Sequence, residues 1–392
     1  MELLPPRIAD PALLRLLADI LAPDAGPASD SPLRLRLMAP EFRWQALVDT
    51  ATRQDVLAPL IFSLTARNLL PPVPRTMKDR GESHVTNRLG ASYRQHLSRR
   101  EREQAQLNRA LAALNNAGIT PAILKGARYV AAATGPWCEA RTIRDIDILL
   151  RPDDAGRAAV TLAEAGYRAL HTTLPHHHHL PELTREGEPA AIEIHTDALD
   201  ARGRRVMSTA FVWEKAVKDE AGRFFVLPPP WQALHCLLHH LVSDRGYVRQ
   251  TLAMKPLWEW TMLARDFRQE DWTAIADHAD AAGATDVLGS WLVQAQILFH
   301  APIPAAVGVS DKARANAAAT VAMATAPDWR RRSRYVRDQF RLSFAREALA
   351  ARYGESAFGI PLKGAAKHAL HLAGRYRSRW LNHLLDRTKR PS

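Results

Sequence analysis

Apolar positions recur at three and four residues through the first part of the chain, in Leu13-Leu14-Leu17-Leu21 and again in Phe42, Leu47, Val48, Ala51 and Leu57. That spacing predicts helices with one buried face over residues 1–118. A long, highly charged helix follows from about His84 to Asn116, with Leu107, Leu111 and Leu114 as its apolar stripe and Asn115-Asn116-Ala117-Gly118 as its stop. The pattern then changes. Ile119 to Leu124 is a short apolar run with an early Pro, and it ends at Lys125-Gly126 before a small-residue helix, Ala127 to Ala133. Ile143 to Leu150 alternates, a helix runs from about Asp153 to Ala165, Gly166-Tyr167 opens another extended segment, and Ala190 to His195 alternates again. Strand, helix, strand, helix, strand, strand is an α/β stretch over 119–200.

Beyond Pro228-Pro229-Pro230 the helical period returns in Trp231–Leu241, Leu252–Leu263, Trp272–Ala282 and Val287–Leu298, with further helices expected near Arg330–Ala351 and Gly364–Leu385. The expected organisation is a helical N-terminal region (1–118), an α/β core (119–228), a helical domain (229–327) and a basic helical C-terminal region (328–392). As a whole this is an α+β protein whose core is flanked by helices. No fixed-period repeat and no long low-complexity tract interrupts it.

Composition narrows the class. With 47% hydrophobic and 24% charged residues, the 392-residue chain reads as globular rather than disordered. Two cysteines, Cys138 and Cys236, support neither a disulfide framework nor a cysteine zinc site, which favours a reducing, cytoplasmic setting. The N-terminus lacks the order of a signal peptide, and no run reaches the roughly 18 apolar residues of a membrane span. The net charge of +12 is uneven: residues 328–392 hold 16 Lys/Arg against 5 Asp/Glu, a net of +11. Such a region suggests contact with a polyanion, RNA or an anionic membrane, and a solvated helix face is its plain alternative.

The strongest chemical signal is Arg144-Asp145-Ile146-Asp147-Ile148-Leu149-Leu150. In a strand, Asp145 and Asp147 project together while Ile146 and Ile148 enter the core. Two adjacent carboxylates on an apolar strand are costly without a balancing cation, and Mg²⁺, a hard ion, suits oxygen ligands. An isolated Asp-x-Asp is common and would read as a solvated strand end. A third acid, Glu193, alters that reading, because it sits between Ile192 and Ile194 on a second alternating strand. Three strand carboxylates are able to hold two metal ions, one activating a nucleophile and one bridging a triphosphate. Asp147→Asn is expected to abolish turnover yet leave the metal-free protein equally or more stable, through relief of like-charge repulsion. At Lys125-Gly126 the strand-to-helix turn offers backbone N–H groups and a cation for phosphates.

Ile123-Leu124-Lys125-Gly126, then Arg141-Thr142-Ile143-Arg144-Asp145-Ile146-Asp147, then Gly166-Tyr167, then Ile192-Glu193-Ile194-His195, taken together, resemble a bacterial nucleotidyltransferase family within the DNA polymerase beta-like superfamily. The resemblance covers roughly residues 84–300, with its motifs confined to 123–195. It implies a small mixed-sheet core, metal binding by Asp145 and Asp147 with Glu193 completing the site, and Mg²⁺ or Mn²⁺ as cofactor. It implies nucleotide binding around Lys125, Gly126, Arg141 and Arg144. In two places the sequence departs from the superfamily pattern: Ala127 stands where a Ser or Gly usually follows the turn glycine, and Arg144 replaces a small or polar residue.

The implied reaction moves NMP from an NTP to an acceptor (small molecule, protein or RNA) with release of pyrophosphate. The rival is a non-catalytic RNA- or membrane-associated protein on a degenerate transferase scaffold. Other features read more plainly. His176-His177-His178-His179 suits a hairpin linker; His195 either orients Glu193 or the acceptor, or is structural; His235, His239 and His240 suit packing against the core, and Trp258, Trp260 and Trp272 suit the core itself.

Overall fold

The computed structural model describes residues 10–23, 27–70, 83–133, 135–170 and 180–344. The chain forms two compact units, Pro5–Thr325 and a second that comprises Met1–Leu4 and Ala326–Ser392. Of the second, helix Asp328–Ser343 is described, and its ion pairs include Arg331 with Asp328 and Arg334 with Asp338.

Pro5–Thr325 is helical at both ends with a mixed sheet between. Helix Pro11–Leu21 starts where its periodicity requires, with the Asp10 carboxylate accepting from the Ala12 amide at 2.8 Å and Pro11 as the first residue. Leu14, Leu17 and Leu21 are buried in one core with Leu47, Ala51, Leu60 and Leu64 of the next helices, Trp44–Arg53 and Leu57–Ala66. The long helix Ser83–Asn116 carries Leu107, Leu111 and Leu114 into a second core under the sheet.

Among the described residues seven strands make one sheet: β1 Ala122–Ile123, β2 Asp145–Leu149, β3 Arg168–Ala169, β4 Leu183–Thr184, β5 Ala191–His195, β6 Val217–Lys218 and β7 Phe225–Val226, in the order β3-β4-β5-β2-β1-β7-β6. β2 runs parallel to β5 and antiparallel to β1, so the sheet is mixed. The α+β class with flanking helices is therefore observed. Ile146, Ile148, Ile192 and Ile194 all enter the core beneath. Burying each contributes about 1.5–3 kcal/mol, and a one-residue slip would exchange them for the carboxylates. That difference fixes the register and with it the face on which the acids stand.

The elements differ from expectation in specific ways. The apolar run at Ile119–Leu124 yields only two strand residues, since Pro121 has no amide to donate and offers only its carbonyl, which accepts from Phe225 at 2.8 Å. β4, β6 and β7 were not expected, being two residues each and too short to alternate visibly. Helices Pro27–Leu37, with Pro32 inside it, and the alanine-rich Asp311–Thr325 have no apolar stripe to announce them. The helix expected over Trp231–Leu241 spans Pro229–Leu238 and widens into a π turn, His239–Ser243. The expected helix at Gly364–Leu385 lies outside the described residues, as does His176–His179.

Candidate active site

In the parallel β2–β5 pair, Asp147 stands directly opposite Glu193 and Asp145 opposite Ala191, so all three carboxylates share the face away from the isoleucines. Asp147 is nearly inaccessible, at 1% exposed. Its Oδ1 accepts from Lys125 Nζ at 2.6 Å and lies 2.8 Å from His195 Nε2. The same His195 nitrogen is 3.2 Å from Glu193 Oε2. His195 is thus a bridge between the two carboxylates, two residues along β5 from Glu193, on the same face. These contacts fit an orienting role, and its near-complete burial fits a structural one.

Lys125 reaches Asp147 from an unusual backbone. It has φ +47, in the left-handed region that non-glycine residues seldom adopt, and its carbonyl accepts from Gln232 Nε2 at 3.3 Å. Leu124 N–H donates to the Asp147 carbonyl at 3.0 Å, tying the turn to β2. Gly126 is required by space: a Cβ there would come within 2.7 Å of Ile143 Cγ2 and 3.1 Å of Arg141 Nη1. The helix that follows, Ala127–Ala131, has only five residues.

Electrostatics separate the three acids. Burial opposes the Asp147 charge, yet Lys125 and His195 hold its carboxyl well below the usual carboxylate range. Burial likewise opposes Glu193, but the His195 contact outweighs it and the group ends below its ordinary value. Asp145 moves the other way: burial raises it, and repulsion from Asp147 and Glu193 adds to the rise. Burial disfavours protonated His195, but the two carboxylates lift it above its ordinary value.

The donor set fits a divalent cation. One ligand atom from each of Asp147, Glu193 and His195 can be chosen so that all lie within 4.8 Å of one another. Asp147 Oδ2 is buried with no hydrogen-bond partner among the described residues, and Asp145 is destabilised by negative neighbours that a cation would neutralise. The cluster that could hold a cation thus contains Asp147, Glu193 and His195, two carboxylates and an imidazole.

Asp145 opens onto a cleft of about 370 Å³ whose lining includes Lys125, Gly126, Arg141, Arg144, Lys255 and Asp55. Arg141 is buried and donates to Glu259 Oε2 and to the Thr142 carbonyl. Arg144 is 79% exposed, with Asp55 Oδ2 at 3.4 Å. Lys255 Nζ donates to that same Asp55 oxygen. The lining also includes His239 and Asp244, with Nδ1 and Oδ2 3.4 Å apart.

Sequence reasoning missed Asp55, Lys255, Glu259 and Asp244 as cleft residues. Glu259 alone left a signal, since it sits between the buried Trp258 and Trp260 where a charge needs a partner. His235 is packed as expected, fully buried with Nε2 donating to the Ala198 carbonyl at 3.0 Å, and Trp258 and Trp260 are core residues.

A mixed sheet carrying paired carboxylates on one face, flanked by helices and beside a cation-lined cleft, fits a nucleotidyltransferase site. Residues 40–300 match the family described as "Uncharacterised nucleotidyltransferase", and the chain belongs to that family. No curated protein and no solved structure matches it. No helix among the described residues is long and apolar enough to cross a membrane.

Proposed function

We propose that the protein transfers NMP from an NTP to an acceptor, using Mg²⁺ or Mn²⁺ held by Asp145, Asp147 and Glu193. One observation carries the reading: Asp147 faces Glu193 across a parallel strand pair, with Asp145 two residues along the same face and lining a cleft that also holds Lys125, Arg141 and Arg144. An acceptor oxygen would attack the α-phosphorus, the bond to the β-phosphate oxygen would break, and pyrophosphate would leave in line. When bound, the cation would neutralise the triphosphate and favour a deprotonated nucleophile.

The chain's own part is positional. Lys125 and His195 both hold the Asp147 carboxylate at Oδ1, and His195 holds Glu193 beside it. Gly126 lets the turn approach Arg141 without a side chain between them. Arg144 and Lys125 bring positive charge to the cleft for the phosphates, and Arg141, bound to Glu259, contributes through space. Ala127 gives the turn no hydroxyl, so the phosphate contacts fall on these cations.

The test is incubation with each α-labelled NTP, Mg²⁺ or Mn²⁺, and a total lysate, followed by fractionation into small molecules, protein and RNA. Label is expected in one fraction with the wild type and in none with Asp145→Asn or Glu193→Gln. Equal labelling by wild type and both variants would refute the assignment. Contact of a polyanionic acceptor with residues 328–392 belongs to the same proposal, motivated by exposed Arg330, Arg332 and Arg337 on helix Asp328–Ser343.

A further inference from the structure

Asp55 comes from the turn between two N-terminal helices, far in sequence from the sheet, yet its side chain enters the cleft. Its Oδ2 takes Lys255 and Arg144 together, and its Oδ1 accepts from Thr142 Oγ1 at 3.4 Å. One carboxylate oxygen bound by a lysine and an arginine is the arrangement that a phosphate oxygen would make with the same pair.

The backbone at Asp55 is unusual for its residue type. It has φ +58 at the end of helix Trp44–Arg53, with Asp55 N–H donating to the Thr52 carbonyl at 3.1 Å and Val56 N–H to the Ala51 carbonyl at 2.9 Å. These two bonds close a helix end at the position that glycine normally fills, and asparagine next. An aspartate there accepts some strain to place its carboxylate.

The cations it holds differ from the other two in the cleft. Lys125 is bound to Asp147 and Arg141 to Glu259, partners that are each 1% exposed. Asp55 is 33% exposed, so an incoming anion is able to reach the Lys255–Arg144 pair and replace it. Lys255 itself remains short of negative charge. Burial and then Arg141 press its ammonium below the ordinary lysine value, and the Asp55 contact does not restore it. A ligand with several negative charges would supply what one partly solvated carboxylate does not.

We propose that Lys255 and Arg144 form a polyphosphate subsite in this cleft, and that Asp55 is an internal anion occupying it until the polyphosphate of a nucleotide, or released pyrophosphate, displaces it. The naming of a nucleotide as the source rests on the nucleotidyl-transfer reading; the polyphosphate subsite does not. Displacement frees Asp55 from both cations and leaves it tethered by its helix end. The N-terminal helices thereby set how tightly the cleft holds phosphate.

The experiment is calorimetric titration of the full-length protein with inorganic tripolyphosphate and pyrophosphate in EDTA, so that the carboxylate metal site takes no part. Asp55→Asn keeps the shape and suits the left-handed backbone; it is expected to bind about tenfold more tightly than the wild type, the equivalent of one modest ion pair. Lys255→Met and Arg144→Gln are each expected to bind at least about tenfold more weakly, and Asp55→Asn/Lys255→Met to lose the gain. Arg144 is exposed, so its variant reports on the subsite even if Lys255→Met folds poorly. Equal or weaker binding by Asp55→Asn would overturn the displacement. No binding by either wild type or Asp55→Asn, or unchanged binding by Arg144→Gln, would overturn the subsite. Asp147→Asn, titrated alongside, should still bind tripolyphosphate in EDTA even where it fails to turn over NTP, which separates failure here from failure of the catalytic reading.

Discussion

Asp147→Asn tests the electrostatic design of the site without any substrate. From the sequence alone, removing one of three clustered acids promises relief of repulsion and an equal or more stable protein. The structure points the other way, because Asp147 is bound to Lys125 at 2.6 Å and lies 2.8 Å from His195, both largely buried. The amide would leave the Lys125 ammonium facing a neutral group in a site with little water. Breaking a buried pair by removing one partner costs about 3–5 kcal/mol, and the partial exposure of Lys125 argues for about 3. For a unit the size of Pro5–Thr325 that corresponds to a melting temperature lowered by roughly 4–5 °C. The assay is thermal unfolding in EDTA, followed by circular dichroism between pH 3 and 8.

The pH dependence has a definite sign. The folded Asp147 carboxyl lies below its unfolded value, so its stabilisation is present above about pH 4 and is lost as pH falls through and below that value. Folded His195 lies above its unfolded value, so its share is complete below about pH 6.5 and is lost as pH rises through the folded value. The gap between wild type and variant should therefore be widest between about pH 4 and 6.5. A variant that melts at or above the wild type in that window would mean that repulsion from Asp145 and Glu193 outweighs Lys125 and His195, and the reasoning would be wrong.

Other perturbations probe neighbouring parts. His235 is held neutral, pushed down to about 3 by burial, so folding loses stability as pH falls from about 6.5 toward that value, by no more than about 5 kcal/mol. His235→Gln should therefore narrow its stability deficit in urea unfolding at pH 4.5 relative to pH 7; an unchanged deficit would contradict this. Gly126→Ala should cost about 1–3 kcal/mol through overpacking against Ile143 and Arg141, with NTP turnover falling in parallel, measured by urea unfolding and pyrophosphate release. Removing residues 365–392 takes away seven Lys/Arg and one Asp. The truncated protein should bind RNA or anionic vesicles more weakly with a shallower salt dependence, whereas a flat salt response in both forms would favour a small-molecule acceptor.

The site divides into a part that sequence periodicity exposes and a part that it does not. Asp145, Asp147 and Glu193 were readable because each interrupts an alternation whose other members, Ile146, Ile148, Ile192 and Ile194, must all point to one core; the register then follows from hydrophobic burial alone. His195 was readable as sharing Glu193's face, but its contact with Asp147 depends on β2 and β5 being parallel neighbours, which no local pattern encodes. Lys255 and Asp55 left no trace at all. Each sits on a helix or helix end whose apolar period is satisfied by other residues, and 200 positions separate them. What brings them together is the packing of N-terminal and C-terminal helices into one core around Trp258, Leu47 and Leu60. The strands that carry the acids show their alternation locally, whereas Lys255 and Asp55 are brought together only by helix packing. A substitution deep in that helical core should therefore disturb phosphate binding before it disturbs the carboxylate face.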